Sequence, residues 1–362
     1  MNHKRRLAKL QAALEPNRLD ALLAIHLPNI RYLCGFTGSA GALVIAEGKS
    51  VFFTDGRYTE QARTEVQGSR VVIARKAPML AAGEWLAKHA GKLGLKTLGI
   101  ESEHLTVAER TRLAKILPSG MRLREAPPLV ERARMVKDAD EIERLRAAVL
   151  LGSSLFDVVL KAICPGVTEI EVAAEMEYAA RRSGAEGMSF ETIIASGTRS
   201  ALPHGRASES TIPAAGFVVC DFGVILAGYC SDMTRTVHVG RPPDAARHVY
   251  QAVREAQQRA LDAIRPGASV SEVDGAARKL LRRNGLAEYF THSTGHGVGL
   301  EIHEGPRVAA GQHQLLRPGM VITVEPGVYV PGVGGVRIED MAVVTERGCE
   351  VLTPTTKEMI TV

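Results

Sequence analysis

Three absences in this sequence exclude broad classes of protein. No apolar run among the 362 residues approaches the ~18 residues that a membrane-spanning helix needs. The basic residues 4–6 precede a stretch that Lys9, Gln11 and Glu15 interrupt, so we expect an amphipathic helix there and not a signal peptide. Five cysteines without Cys-x-x-Cys spacing argue against a disulfide framework, and they favour a reducing, cytoplasmic location.

Aromatic residues are also scarce, at 4% of the chain, and this bears on the net charge of +5. A basic protein could bind nucleic acid, but here the basic residues are scattered and are not interleaved with aromatic side chains that stack on bases. Residues such as Arg110, Arg112 and Lys115 fit a solvated helix face. We therefore expect neither nucleic acid nor a membrane among the partners of this protein.

The first third of the chain alternates between strand-like and helix-like patterns. Short β-branched runs predict strands at 20–25, 41–46, 50–54, 70–74 and 97–101. Helical patterns lie between them, at 57–67, 79–91 and 106–116. This alternation predicts an α/β domain with a mostly parallel or mixed sheet. The pattern changes near Pro127 and Pro128, so we assign this first domain to residues 1–127.

The remaining residues, 128–362, contain an approximate internal repeat. A long helix with an acidic first turn is predicted from Lys137 onward. Residues 162–184 align without gaps on residues 263–285, and both copies share a Pro-Gly turn, a Glu-Val pair, an Arg-Arg pair and a closing glycine. The repeat predicts a second, α+β domain of two pseudo-symmetric halves, each a helix followed by β-structure.

Each half carries a pair of carboxylates on a predicted hairpin. In residues 216–239, a turn centred between Leu226 and Ala227 would place Asp221 directly opposite Asp232. Like charges at such a distance destabilise a sheet unless a cation lies between them. The simpler alternative for this segment is that one aspartate merely sits at a turn or an edge.

The second half repeats this arrangement in residues 319–344. Glu325 and Glu339 lie on its two arms, about equidistant from Gly332. Residues 291–306 lie between the two hairpins and combine three histidines with four glycines, and imidazole is a common metal ligand. A single histidine is more often structural, but three histidines beside predicted carboxylate pairs favour a functional site.

These segments resemble the metallopeptidases of the pita-bread fold, which include methionine aminopeptidases, aminopeptidase P, prolidase and the non-metal creatinases. The resemblance covers residues 128–362 and rests on the ordered motifs DFG…SDMTRT, HSTGHGVGLEIHE, VEPGVY and GVRIED. In that family the matching positions bind two divalent metal ions, with Asp232 typically bidentate and Glu339 bridging. The implied ligands are Asp221, Asp232, His296, Glu325 and Glu339. All five are intact, which separates this chain from the creatinases.

The ligand set implied by the resemblance agrees with simple coordination chemistry. Carboxylate oxygens with one imidazole suit Mn²⁺, Co²⁺, Fe²⁺ or Zn²⁺, and the set contains no thiolate. We expect two divalent ions per chain, with Mn²⁺ first and Co²⁺ or Zn²⁺ as alternatives. Two ions about 3.5–4 Å apart could share a hydroxide, which would attack the scissile carbonyl. The predicted chemistry is therefore hydrolysis of a peptide bond with a metal-bridging hydroxide as nucleophile.

Further site residues follow from motifs that resemble the proline-specific branch of this family. His204, His292 and His303 would bind substrate or move and stabilise protons at the tetrahedral intermediate. Arg337 would orient the carboxylates from a position two residues before Glu339. The alternatives are that Arg337 forms a plain structural ion pair and that His204 is a turn residue.

The N-terminal third also resembles this branch. Residues 29–45 and 53–62 look like the creatinase-type N-terminal domain of Xaa-Pro peptidases. Methionine aminopeptidases lack such a domain, so they become a less favoured choice. In relatives this domain mediates dimerisation and helps to close the site, so the resemblance implies a homodimer.

Aminopeptidase P and prolidase share every residue named so far. A strict dipeptidase needs a cation for the free carboxylate after proline, and prolidases tend to place an arginine shortly before the Pro-Gly-Met turn. Residues 308–320 offer only His313 and Arg317. We therefore expect an Xaa-Pro aminopeptidase that acts on peptides with proline at the second position. Prolidase is the first alternative, and a catalytically inactive peptide-binding module is the second.

Overall fold

The computed structural model describes all 362 residues, and their contacts divide the chain into two units, Met1–Arg134 and Met135–Val362. The predicted boundary at residue 127 and this division differ by one short helix, Leu129–Arg134. No helix combines the length and the apolar character that crossing a bilayer requires.

A six-stranded mixed sheet forms the centre of the first unit. Its strands are β1 (Ala21–Ala24), β2 (Ala42–Ala46), β3 (Lys49–Asp55), β4 (Arg70–Ala74), β5 (Thr97–Ile100) and β6 (Arg122–Glu125). The order across the sheet is β4-β3-β2-β1-β5-β6. Strand β2 pairs antiparallel with β1 and β3, and the other pairs are parallel. The prediction of an α/β domain with a mixed sheet is confirmed.

Six helices precede, connect or follow these strands. They are α1 (His3–Leu14), α2 (Leu27–Cys34), α3 (Thr59–Glu65), α4 (Pro78–Leu93), α5 (Val107–Ile116) and α6 (Leu129–Arg134). Helix α4 begins at Pro78, because the missing N–H of proline is not needed in a first turn, and it ends before Gly94, which has left-handed φ. Leu86 of α4 and Leu113 of α5 pack with Leu98 of β5 in the core of this unit.

Two helix pairs open the two halves of the second unit. The pairs are α7 (Ala139–Ala162) with α8 (Glu169–Arg182), and α9 (Asp244–Ala263) with α10 (Val270–Arg283). Helices α8 and α10 both begin at a capping box, in which Thr168 or Ser269 exchanges hydrogen bonds with a glutamate three residues later. The helix predicted from Lys137 onward and the helices predicted from the repeat are therefore confirmed.

β-structure follows each helix pair. The first half contains β7 (Gly187–Met188), β8 (Ile193–Ser196), β9 (Gly216–Phe222), β10 (Val224–Leu226), β11 (Tyr229–Cys230) and β12 (Met233–Val239). The second half contains β13 (Gly295–Gly297), β14 (Glu304–Val308), β15 (Val321–Val324), β16 (Gly327–Val330), β17 (Gly334–Arg337), β18 (Asp340–Val344) and β19 (Cys349–Val351). The two main sheets have the orders β12-β9-β8 and β14-β13-β15-β18-β19. This organisation matches the predicted α+β domain of two halves.

Each half of the second unit has its own apolar core. In the first half, Val172 of α8 packs in one cluster with Val218 and Cys220 of β9. In the second half, Val273 of α10 packs in one cluster with Ile322 of β15. Because neighbouring residues of a strand point to opposite faces, the helices cover one face of each sheet and leave the other face for polar side chains.

Candidate metal centre

A cavity of about 750 Å³ lies within the second unit. Its walls include the nine site residues predicted from the sequence, namely Asp221, Asp232, His296, Glu325, Glu339, His204, His292, His303 and Arg337. Phe190, Ile193 and Ile302 add apolar surface to the same walls. Residues from both hairpins and from the histidine-rich segment therefore meet at one place.

Asp221 and Asp232, the first carboxylate pair, do not lie directly opposite each other across their hairpin. Strands β9 and β12 pair with Asp221 opposite Thr234. Ala227 and Gly228 form the turn, and their φ values of 49° and 78° suit a two-residue hairpin turn, which favours positive φ at both positions. The turn is thus centred one residue later than predicted, and the predicted direct pairing of Asp221 with Asp232 is wrong. Asp232 still reaches the same cavity, because it lies two residues from Thr234 and side chains repeat every second residue.

The second carboxylate pair has the predicted register. The β16–β17 pairing and the β15–β18 pairing lie on either side of Glu325 and Glu339, and both are symmetric about Gly332. Gly332 has a φ of 77°, which suits glycine at the centre of the connection. Glu325 and Glu339 therefore occupy facing positions, as predicted.

His296 joins these carboxylates from β13. Its Nε2 atom lies 3.5 Å from Asp232 Oδ2 and 3.6 Å from Glu325 Oε1. Its Nδ1 atom lies 2.9 Å from the carbonyl oxygen of Gly297, which only accepts, so Nδ1 carries the proton and Nε2 is left for the carboxylate side. Candidate ligand atoms of Asp232, His296 and Glu339 all lie within 4.8 Å of one another. One metal ion could therefore contact all three.

Burial sets the charge behaviour of these groups. It raises the pKa of Asp232 to about 6 and that of Glu325 to about 7, and it raises the pKa of Glu339 well above its usual value. Burial alone would lower the pKa of His296, but the hydrogen bond and charge of Asp232 and the charge of Glu325 outweigh it and raise that pKa to about 9. The carboxylates thus create an environment that favours positive charge.

Two buried carboxylate oxygens have no hydrogen-bond partner in the protein. They are Asp221 Oδ1 and Glu339 Oε1. Buried polar side-chain atoms are paired in the large majority of cases, so an unpaired atom calls for a specific explanation such as a bound ion. Four carboxylates with one imidazole form a donor set that suits divalent ions such as Mn²⁺. The residues present therefore fit a metal ion.

Arg337, on β17, connects several walls of the cavity. Its guanidinium donates to Asp221 Oδ2 at 2.5 Å and to the Tyr329 hydroxyl at 2.6 Å. It also donates to the carbonyl oxygen of Pro203 at 3.0 Å, immediately before His204. One buried cation therefore restrains Asp221, Tyr329 and the segment that carries His204.

His292 is bound at both ring nitrogens. Its Nδ1 lies 2.8 Å from the carbonyl oxygen of Ser293, and its Nε2 lies 2.9 Å from the Tyr329 hydroxyl. Because the carbonyl only accepts, Nδ1 donates to it and Nε2 accepts from Tyr329. The Tyr329 hydroxyl accepts from Arg337 and donates to His292, so the three side chains form one hydrogen-bonded chain.

His204 and His303 are exposed to the cavity. The ring of His303 lies edge-on to His296, with 4.5 Å between ring centroids. Partial burial lowers the pKa of His303, and the charges of His296 and His204 add to this effect. These two histidines are thus the ones best placed to meet a substrate directly.

Three further residues belong to the site although the sequence prediction did not include them. The Thr234 hydroxyl donates to Glu339 Oε2 at 2.7 Å. Tyr329 joins Arg337 to His292, and Arg307 lines the cavity with an exposed side chain on β14. Thr234 lies in the motif SDMTRT and Tyr329 in the motif VEPGVY. Their roles depend on contacts with residues distant in the sequence, and the sequence pattern alone does not reveal such contacts.

Comparison with known families matches both units of the chain. Residues 143–346 match metallopeptidase family M24. Residues 6–136 match the creatinase/prolidase N-terminal domain. The first match contains the whole cavity described above.

Individual relatives match over nearly the whole length. The Xaa-Pro dipeptidase of Pyrococcus horikoshii is 37% identical over 364 residues, which cover 99% of each chain. The structure of an Xaa-Pro dipeptidase from Bacillus anthracis is 41% identical, has a TM-score of 0.95 and is covered over 100% of both chains. The structure of an X-Pro aminopeptidase from Thermotoga maritima MSB8 is 36% identical, with a TM-score of 0.90 and coverage of 99% of this chain and 100% of that one. Both predicted kinds of proline-specific peptidase are thus represented.

Proposed function

Because the chain belongs to metallopeptidase family M24 and shares its pita-bread fold, we propose that it hydrolyses Xaa-Pro dipeptides. The observation that carries this proposal is the near-complete match to proteins named Xaa-Pro dipeptidase. The sequence alone led to an Xaa-Pro aminopeptidase, with prolidase as the alternative. The relatives favour the alternative, so we adopt it.

Five residues would hold two divalent ions, with Mn²⁺ as the first candidate: Asp221, Asp232, His296, Glu325 and Glu339. The unpaired oxygens of Asp221 and Glu339 support this set. The close approach of Asp232, His296 and Glu339 supports it independently. When bound, such ions polarise a carbonyl group and lower the pKa of water towards neutrality.

The protein's own side chains would bind and orient the substrate beside this centre. Arg337 keeps Asp221 in one orientation, because its guanidinium is itself fixed by Tyr329 and Pro203. His204 and His303 face the cavity and would donate hydrogen bonds to the substrate carbonyl oxygen as negative charge develops on it. Phe190 and Ile302 supply apolar surface for the side chains of the peptide.

Arg307 is the candidate cation for the free carboxylate of a dipeptide. It pairs with His296 across β13 and β14, and its side chain lines the cavity. A guanidinium can bind a carboxylate through two parallel hydrogen bonds. Residues 308–320 lack a well-placed group of this kind, but Arg307 immediately precedes them. The lack of a suitable cation in residues 308–320 favoured an aminopeptidase. Arg307, one residue before that stretch, would supply the cation that a dipeptidase needs.

The test is the ratio of kcat/KM for Ala-Pro to kcat/KM for Ala-Pro-Ala, measured with the metal-loaded protein. We expect the dipeptide to be favoured by at least ~10-fold, since a charge-assisted pair contributes roughly 1.5–3 kcal/mol. Replacing Arg307 by Met should remove most of this preference by raising KM for the dipeptide. Arg206→Met is the matched control, because Arg206 lines the same cavity but is already paired with Glu191 at 2.9 Å.

An Xaa-Pro aminopeptidase is the second candidate function. The match to the Thermotoga maritima X-Pro aminopeptidase favours it. The same assay separates the two, since rapid turnover of Ala-Pro-Ala without turnover of Ala-Pro would contradict the dipeptidase proposal. If the metal-loaded protein turned over neither Ala-Pro nor Ala-Pro-Ala, the peptidase proposal as a whole would be contradicted.

A further inference from the structure

Arg235, on β12, is the largest fully buried side chain of the protein. An arginine side chain has five N–H donors, and here each has an acceptor at 2.5–2.9 Å. The acceptors are the carbonyl oxygens of Thr234, Glu339, Thr355 and Thr356 and the carboxylate of Asp340. Because four of the five acceptors belong to the main chain, the guanidinium joins three separate chain segments at fixed distances.

Asp340 neutralises this buried cation. One of its oxygens accepts from Arg235 at 2.7 Å. The other accepts from Gln257 at 2.8 Å and pairs with the ammonium group of Lys357 at 3.0 Å. Both carboxylate oxygens are thus occupied, and Asp340 is 0% exposed. A buried ion pair with this complete set of hydrogen bonds has one favoured arrangement.

Glu339 is attached to this arrangement through three contacts. Its N–H donates to the carbonyl oxygen of Thr234 at 3.1 Å, and its own carbonyl oxygen accepts from Arg235 at 2.5 Å. The hydroxyl of Thr234 donates to one carboxylate oxygen, Oε2, at 2.7 Å. The other carboxylate oxygen, Oε1, has no partner in the protein. The main chain of Glu339 is therefore fixed by Arg235, whereas its free oxygen belongs to the candidate metal centre.

We propose that Arg235 is a positioning residue that sets the affinity of the centre for divalent ions by holding the main chain of Glu339. This inference rests on the proposed function, because it takes Glu339 as a ligand. Ligands must be held to within about 0.5 Å for a metal site to form as intended. Lysine would keep the charge opposite Asp340, but it lacks the planar fork that reaches four carbonyl oxygens at once.

The experiment compares Mn²⁺ binding by the wild-type protein and by the Arg235→Lys variant, using isothermal titration after removal of metal with a chelator. We expect the variant to bind Mn²⁺ ~10–100-fold more weakly, which is the range for residues that support metal ligands. Lys357→Met is the matched control. It removes the other cation next to Asp340 without touching Glu339, so its Mn²⁺ affinity should stay within about twofold of wild type.

Two results would overturn the inference. One is a folded Arg235→Lys variant, as judged by circular dichroism, with wild-type affinity for Mn²⁺. If that variant does not fold, Asp340→Asn decides the question. It removes the negative charge opposite Arg235 and replaces one of the two acceptor oxygens by an amide donor, which cannot accept from Gln257 or Lys357. The buried arrangement that fixes the guanidinium is then broken while Arg235 itself is kept. We expect Asp340→Asn to weaken Mn²⁺ binding at least ~10-fold, and unchanged affinity would contradict the proposal.

The same preparation separates this inference from the proposed function. Wild-type protein that binds Mn²⁺ but hydrolyses no Xaa-Pro peptide would refute the proposed activity and leave the role of Arg235 standing. Wild-type protein that hydrolyses Ala-Pro, together with unchanged Mn²⁺ affinity in the folded Arg235→Lys variant, would refute only the role of Arg235.

Discussion

The charge of His292 follows from its surroundings in the cavity wall. Burial lowers its pKa to about 4, and the charge of Arg337 contributes in the same direction. At neutral pH the ring is therefore uncharged and accepts a hydrogen bond from Tyr329. In this structure His292 supports the position of Tyr329, and its predicted part in substrate binding or proton transfer stays a prediction.

This pKa gives a prediction for stability against pH. The unfolded chain binds a proton at His292 near pH 6.5, whereas the folded chain does so only near pH 4. The stabilising contribution is therefore complete above pH 6.5 and is lost as the pH falls to about 4, by up to about 3 kcal/mol. Urea unfolding of the metal-free protein should show that the stability difference between wild type and His292→Gln changes over this interval. A constant difference would contradict the assignment.

A second prediction separates a proposed ligand from a supporting residue. Asp232→Asn keeps the shape of the side chain but removes a charge, so Mn²⁺ binding and turnover should fall by more than the ~10–100-fold typical of supporting residues. Arg337→Lys should stay within that range and keep the metal bound. Elemental analysis and kcat/KM for Ala-Pro provide the two readouts. An Asp232→Asn protein with both metals and wild-type rates would remove Asp232 from the ligand set.

The sequence was informative about individual site residues wherever a motif names the residue itself. The pairing of Glu325 with Glu339 could be predicted because both lie equally far from Gly332. The residue opposite Asp221 could not be predicted, because the position of the turn depends on Ala227 in the left-handed conformation. Alanine rarely adopts that conformation, so the sequence does not indicate it. Arg307 lies in no recognised motif and is identified only by its place in the cavity wall.

At the scale of elements, a buried ion pair fixes the end of the histidine-rich segment 291–306, where β14 begins. Lys137, just before α7, donates to Glu304 at the start of β14, with the two side chains only 1% and 6% exposed. Glu304 also accepts from the N–H of Glu301 at 3.2 Å. Because Ile302 and His303 lie between these two glutamates and line the cavity, the start of α7 helps to shape the site.

Removing this pair should be costly. Lys137→Met removes the buried cation that pairs with Glu304, and breaking a buried ion pair by removing one partner costs about 3–5 kcal/mol. Arg146→Met is the control, because the Arg146–Glu350 pair has a similar distance of 2.8 Å but is 32% and 50% exposed. That variant should lose no more than about 1 kcal/mol in the free energy of unfolding measured in urea. Equal losses of unfolding free energy in the two variants would contradict the conclusion that burial makes the Lys137–Glu304 pair the more important of the two.

Elements with a strong pattern could be predicted, and elements with a weak one could not. The predicted strands of the first unit correspond to β1 to β5. The edge strand β6 (Arg122–Glu125) was missed, because it contains a single apolar residue, Leu123, and one residue is too few for a recognisable alternation. Helix α2 (Leu27–Cys34) was missed as well, because a short apolar run does not distinguish a helix from a strand.

At the scale of the whole molecule, each half of the second unit contributes one carboxylate pair to a shared cavity. Asp221 and Asp232 come from the first half, and Glu325 and Glu339 come from the second. Neither half could form the centre by itself, so the two similar halves have to pack together before the four carboxylates meet. The homodimer implied by the family resemblance stays a prediction.

The most direct test of this centre is a crystal structure of the Mn²⁺-loaded protein with an anomalous difference map recorded at the manganese edge. We predict two peaks about 3.5–4 Å apart. Together they should be coordinated by Asp221, Asp232, His296, Glu325 and Glu339, with Glu339 contacting both. Manganese bound elsewhere in the molecule, or no peak among these five residues, would contradict the assignment of this cavity as a metallopeptidase centre.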